Sequence, residues 1–221
     1  MFDLDADDLS GRVLDCSAGA ASFVTVARTN GTRAYAVDPA YALRREDLAA
    51  AVRDDLQRGT TIAEQHPDRF VWDWFGSREG RDRMRRAAGA RFLAALATSP
   101  GWLVAGELPR LPFRSRSFDL VLCSHLVFTW ADVLGLDWHL SALTELVRVS
   151  DREVRVFPTV MQGRGDVVPF WAELMSRLDE RGMVAEERPV PYRFQVTGDR
   201  MLVLTRRGDR GAGKAAGSAA G

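Results

Sequence analysis

Lysine is nearly missing: of 30 basic residues only Lys214 is not arginine. Cysteine is scarce too, with Cys16 and Cys123 the two present, which is too few for a disulfide framework. The three histidines, His66, His125 and His139, have no cysteine or acidic partners at metal-ligand spacing. No apolar run approaches the roughly 20 residues that span a bilayer, so no transmembrane helix is expected. The start, Met1 to Ser10, is acidic and unlike a signal peptide. Net charge is absent: 30 basic and 30 acidic residues sum to +0, so nothing global draws the chain to nucleic acid or to a membrane. No Gly-x-Ser-x-Gly elbow supports acyl transfer. A reducing cytoplasm is the expected compartment, with both cysteines as small buried residues. The arginine bias, with abundant alanine and glycine, points to a GC-rich bacterial source.

What is present reads as one α/β domain, since 221 residues suit a single sizeable core. Arg12 to Cys16 is a short strand, Ser17 to Ser22 a run of small residues, and a helix through about Thr29 follows. Ala34 to Val37 is a second strand closed by Asp38-Pro39, and this order argues for a parallel sheet. Residues 42–100 read as a helical insertion, with helices over Arg45 to Arg58, Asp68 to Phe75 and Gly80 to Ala97. Trp102 to Ala105, Phe118 to Cys123 and Glu153 to Phe157 are further strands; Trp138 to Val149 and Pro169 to Arg181 are helices. Tyr192 to Val196 and Met201 to Thr205 flank Thr197-Gly198-Asp199-Arg200 and read as a terminal hairpin. The domain is expected over residues 1–205. Residues 206–221, with no apolar side chain larger than alanine, are expected to be a disordered tail.

In open α/β sheets, ligands bind at the carboxyl ends of the strands. The small residues after the first strand let a ligand approach the backbone, and Asp15 just before them could meet an amino-bearing ligand. A turn made small for packing alone is the competing reading. Asp38, about 20 residues beyond that turn, suits the two hydroxyls of a ribose, and with the turn upstream that reading is preferred to a cap on the helix after Pro39.

The segment Leu111-Pro112-Phe113-Arg114-Ser115-Arg116-Ser117-Phe118-Asp119-Leu120-Val121-Leu122-Cys123-Ser124-His125 closely resembles the LPF-spacer-SFDLV segment of class I S-adenosylmethionine-dependent methyltransferases. Asp15 to Ala21 is similar to that family's motif I, and Asp38 to the acidic residue ending its second strand. The resemblance covers Gly11 to Tyr41, Trp102 to Pro158 and, by the hairpin, Tyr192 to Thr205. It implies a Rossmann-like, seven-stranded, mostly parallel sheet with a C-terminal antiparallel hairpin, and S-adenosylmethionine as cofactor. It implies Asp15, Ser17 and Gly19 near the methionine moiety, Asp38 on the ribose, Pro39 beside the adenine, Glu107 on the adenine amino group and Leu108 on its ring. Ser124 and His125 would face the methyl group, with His125 the candidate base, or else a residue that packs or caps the next helix.

The chain departs from the family where Ser17 and Ala21 replace glycines, a change tolerable if those backbones are not left-handed. The resulting expectation is a methyltransferase for a small-molecule acceptor. A non-catalytic binder of the cofactor or its demethylated product is the alternative, and the terminal hairpin disfavours a nicotinamide oxidoreductase. No Asn-Pro-Pro-Tyr-like motif follows the fourth strand, so methylation of DNA bases lacks its usual signature.

Two features of the insertion stay open. Phe70, Trp72, Trp74 and Phe75 could form a lid, an oligomer contact or ordinary packing. Arg78, Arg81, Arg83, Arg85, Arg86 and Arg91, offset only by Glu79 and Asp82, read first as a solvated helix face, with an anionic substrate or nucleic acid as the other partners such a run could meet. Substrate choice is expected to lie in this insertion.

Overall fold

The computed structural model describes residues 1–98, 101–163 and 165–208. In chain order the elements are β1 (Arg12–Cys16), α1 (Phe23–Thr29), β2 (Arg33–Asp38), α2 (Arg45–Gln65), α3 (Arg78–Leu96), β3 (Leu103–Ala105), β4 (Phe118–Ser124), α4 (Leu136–Val149), β5 (Ser150–Phe157), α5 (Trp171–Glu180), β6 (Met183–Pro189) and β7 (Arg200–Arg206). The strands form one seven-stranded sheet in the order β3-β2-β1-β4-β5-β7-β6. The first five run parallel, and β7 is antiparallel to both β5 and β6.

Alternation along each strand builds the layers. Leu14, Cys16, Val121, Cys123, Val154, Val156, Leu202 and Leu204 share one core with the buried face of α4 and with Leu174 and Leu178 of α5. Val13, Ala34, Ala36, Leu120, Leu122, Phe157, Met201 and Val203 face the other way, onto Val24 and Ala27 of α1. Each fully buried leucine or valine contributes roughly 1.5–3 kcal/mol. Both cysteines are free and buried, and they stand opposite one another on β1 and β4.

The Phe118-Asp119 segment serves packing. Asp119 accepts the Arg12 amide at 2.7 Å and its guanidinium at 3.1 Å, which ties the starts of β1 and β4 together. A Cβ at Gly11 would stand 2.8 Å from Asp119, so glycine permits that approach. Phe118 packs edge-on against Tyr35 and Phe113.

Three expectations are corrected. The hairpin partner of β7 is Met183–Pro189, not Tyr192 to Val196. Glu186, Glu187 and Arg188 hide the strand pattern: on the outer strand the two glutamates are exposed and Arg188, half-buried, pairs with Glu186. The Tyr192 segment is drawn instead to the insertion: the Val71 amide donates to the Phe194 carbonyl at 2.7 Å, and Phe70 bridges Gln195. Second, Asp68 to Phe75 is not a helix but two 3₁₀ turns, Pro67–Arg69 and Asp73–Phe75, separated by that bridge. Third, α2 extends past Arg58 to Gln65 through Gly59. Arg206 closes β7, and the Arg207 amide donates to Gly182 at 2.7 Å; the rest of the expected tail, residues 209–221, lies outside the described residues.

Candidate functional site

Register brings the ends of β1, β2 and β4 level: Cys16 pairs with Val37 on one side and Cys123 on the other. Beyond Cys16 the chain must turn sharply. The Ser17 and Ala18 amides both donate to the Val37 carbonyl, at 2.8 and 3.3 Å. Ser17 and Gly19 adopt φ of +58° and +52°, whereas Ala21 is not left-handed. The alanine replacement therefore costs nothing in conformation, while Ser17 stores about 1 kcal/mol of strain. His125, one residue past β4, has φ +54°, so two left-handed non-glycine residues stand at adjacent strand ends.

Asp38 clamps this turn. Its Oδ2 accepts the Gly19 amide at 2.9 Å and its Oδ1 accepts the Ala40 amide at 2.9 Å. The cap and the contact to the turn thus coexist on one carboxylate. The Tyr41 hydroxyl adds a 2.7 Å bond to the Gly19 carbonyl. Asp15 lies buried at the end of β1. Burial first, and the charge of Asp38 second, push its carboxyl up to about 7. The His125 amide donates to Phe157 at 2.7 Å, and its ring meets the Phe157 ring edge-on at 5.5 Å. Burial pushes its imidazole down to about 4, so it is neutral at pH 7.

Above the turn opens a cleft of about 660 Å³. Its floor is Ser17 to Ala21 with Ala40, and Ser124 and His125 also line it. Its wall comes from α2 (Leu48, Ala51, Val52, Asp55, Leu56 and Arg58) and α3 (Arg85, Ala88 and Gly89). A Cβ placed on Gly19 would have nothing within 4 Å, so the turn faces open space.

Of the residues expected in the site, Ser17, Gly19, Ser124 and His125 line the cleft together. Asp15 lies at the end of β1, just before the turn, and Asp38 is bonded to the turn. Pro39 is exposed beside Asp38. Glu107 and Leu108 follow β3, whose last residue pairs with Asp38, but neither lines the cleft: Glu107 is exposed and Leu108 sits in the core with Val37. His66 ends α2 and is remote from the cleft lining; His139 is buried, with ring nitrogens 2.9 and 2.8 Å from the Gly135 and Val127 carbonyls.

The aromatic cluster is not the roof. Phe70 stacks on Phe194 at 4.6 Å, and Phe75 and Trp74 meet Tyr192 edge-on. Trp74 borders a separate cavity of about 430 Å³ with Val190 and Arg193, and Trp72 borders neither. Tyr41 and the α2 face of the wall were not read as site residues from the sequence, whereas Arg85 of α3 was among the arginines read as a possible anchor for an anionic substrate. The available signals were Gly89, an isolated glycine inside the expected helix Gly80 to Ala97, and Gly59, just past the expected end of the helix before it. Among the described residues no group of three or more potential ligands could hold a metal, and no helix is long and apolar enough to cross a membrane.

The sheet order and terminal hairpin define a protein with the class I methyltransferase fold. That likeness is carried by an O-methyltransferase from neocarzinostatin biosynthesis, solved in complex with S-adenosylmethionine and 2-hydroxy-5-methyl naphthoic acid. It matches with a TM-score of 0.51 at 14% identity, over 92% of this chain and 50% of that one. Magnesium protoporphyrin IX methyltransferase from Synechocystis PCC 6803, with bound S-adenosylhomocysteine, gives a TM-score of 0.49 at 12% identity, over 91% of this chain and 77% of that one. An uncharacterized protein of Methanocaldococcus jannaschii is 24% identical over 211 residues, 93% of this chain and 90% of that protein. No family model matches.

Proposed function

We propose that this chain is an S-adenosylmethionine-dependent methyltransferase that transfers a methyl group in line to a small-molecule acceptor. The observation that carries this reading is the clamp of Asp38 on the amide of Gly19, a residue of the left-handed turn that floors the cleft. Two features fit the cofactor. The turn opens into free space, and Asp15 is a buried acid that, among the described residues, burial and Asp38 disfavour in its charged form with no cation offsetting them; an amino-bearing, sulfonium-bearing ligand supplies one.

When bound, the sulfonium supplies an activated methyl group. The chain's own residues then hold and orient. Asp38 spends two of about four acceptor sites on Gly19 and Ala40, leaving two for ribose hydroxyls. Ser17 and Gly19 offer backbone to the methionine chain, and Asp15 a charge to its amino group. Pro39, Glu107 and Leu108, beside the ends of β2 and β3, are assigned to the adenine; Ser124 is assigned to the methyl end. His125 is neutral at pH 7 and a weak base, so its role is to accept a hydrogen bond from the acceptor and orient it.

That weak basicity also favours a second reading, a protein that binds the cofactor without turnover. Transfer of labelled methyl from S-adenosylmethionine across a panel of hydroxyl, amine and acid acceptors separates the two. Saturable turnover establishes the enzyme. Binding with no transfer to any acceptor supports the second reading, and NAD binding in place of S-adenosylmethionine rejects both.

A further inference from the structure

The wall of the cleft carries charge that the cofactor roles above leave unused. Arg85, on α3, lies along α2: its guanidinium reaches Asp55 Oδ2 at 3.0 Å and the carbonyl oxygens of Leu56 and Asp55 at 3.4 Å. Arg58 approaches the same Asp55 at 3.8 Å. Both arginines line the cleft, and one carboxylate serves the two of them. The other nearby acid, Asp82, is buried and taken by Arg81 at 2.8 Å. The wall is therefore net positive. Burial first, and Arg81 second, disfavour the charged form of Arg85, so a further anion would relieve it.

Gly59 makes this placement possible. A Cβ there would stand 1.9 Å from Arg85 Nη1, so the guanidinium lies where a side chain would be. Glycine is a poor helix former, yet α2 carries one at this point. Beside the arginines the wall is apolar, with Leu48, Val52 and Leu56.

We propose that this wall binds the anionic end of the methyl acceptor: a small, largely apolar molecule bearing a carboxylate or phosphate, with Arg85 and Arg58 on the oxyanion and Val52 and Leu56 along its body. A guanidinium presents two parallel N–H groups that match either oxyanion. The identity of the ligand as an acceptor rests on the methyltransferase reading; the anion site does not.

The test uses the full chain and three probes, benzoate, inorganic phosphate and neutral benzamide, each titrated by ligand-observed NMR with and without S-adenosylhomocysteine. Benzoate or phosphate is expected to bind at least tenfold tighter than benzamide; whichever is tighter names the oxyanion. Arg85→Met is expected to abolish that preference while S-adenosylhomocysteine affinity holds. Gly59→Ala, which displaces the guanidinium and favours the helix, is expected to weaken oxyanion binding several-fold at an unchanged or higher Tm. Asp55→Asn, which removes the competing carboxylate, is expected to strengthen it. Equal binding of benzoate and benzamide, or oxyanion binding unmoved in folded Arg85→Met and Gly59→Ala, overturns the proposal. Loss of S-adenosylhomocysteine affinity in Arg85→Met also overturns it, because the arginine would then belong to the cofactor. Arg85-dependent oxyanion binding with no S-adenosylhomocysteine binding keeps the anion site and rejects the methyltransferase reading alone.

Discussion

The floor and the wall of the cleft are built on opposite principles. The floor is backbone: strand ends held level by sheet register, a turn with two left-handed residues, and a carboxylate bonded to amides. The wall is side chain: two helices from one insertion, in contact through Leu56, Gly89 and Arg85 over Gly59. A backbone site is specified by topology and tolerates few chemical changes. A side-chain wall can be rewritten residue by residue while the helices stay. The floor is thus the part suited to one invariant ligand, and the wall the part suited to a ligand that differs between proteins of one fold.

The comparison breaks most readily at Asp15. Its raised pKa means that folding stabilises the protonated form: the contribution is full below about 4 and is lost as pH rises through about 7. Asp15→Asn is therefore expected to raise stability at pH 8 by roughly 2–4 kcal/mol while weakening S-adenosylmethionine binding by about a hundredfold. A variant with wild-type stability and affinity removes Asp15 from the floor's chemistry.

Asp38→Ala comes next. It leaves the Gly19 and Ala40 amides without their acceptor, so a loss of about 1–2 kcal/mol in chemical unfolding is expected. Calorimetry is expected to show roughly ten- to hundredfold weaker cofactor binding. Loss of stability with full affinity would leave Asp38 a helix cap and nothing more.

Trp72→Ala tests the other region. Its ring packs on Phe70 and Phe194, away from the cleft, so about 2–3 kcal/mol of stability should go while cofactor affinity stays. A selective loss of turnover in the folded variant, with cofactor binding kept, would restore the aromatic lid over the substrate. The smallest effect belongs to Ser17→Gly. Relief of the left-handed strain is partly offset by the freer unfolded chain, for a net gain below about 1 kcal/mol. A clear drop in Tm would show that the serine side chain holds the turn.

The same division decides what the sequence reveals. Asp15, Ser17, Gly19, Asp38 and Ser124 are legible because each stands beside an apolar run whose end can be read. The strands themselves are legible because their buried faces are continuous. Met183–Pro189 is not, since a strand at the sheet edge exposes both Glu186 and Glu187 in succession and loses its alternation. The wall is the least legible part. Arg85 reads as one of six arginines that could equip a solvated helix face or anchor an anion, and only the docking of α3 on α2 singles it out by setting it over Gly59. In the segment that most resembles the family, Phe118 and Asp119 join β4 to β1 and do not line the cleft, whereas its last two residues, Ser124 and His125, do.

The central claim is that the strand-end floor holds a cationic cofactor against Asp15 and Asp38. Titration calorimetry with S-adenosylmethionine at pH 6 and pH 7.5 tests it most directly. Ionisation of Asp15 over that interval is expected to tighten binding several-fold, up to about eightfold, with release of close to one proton at the lower pH. Binding that is absent, or equally tight at both pH values with no proton released, would contradict the account.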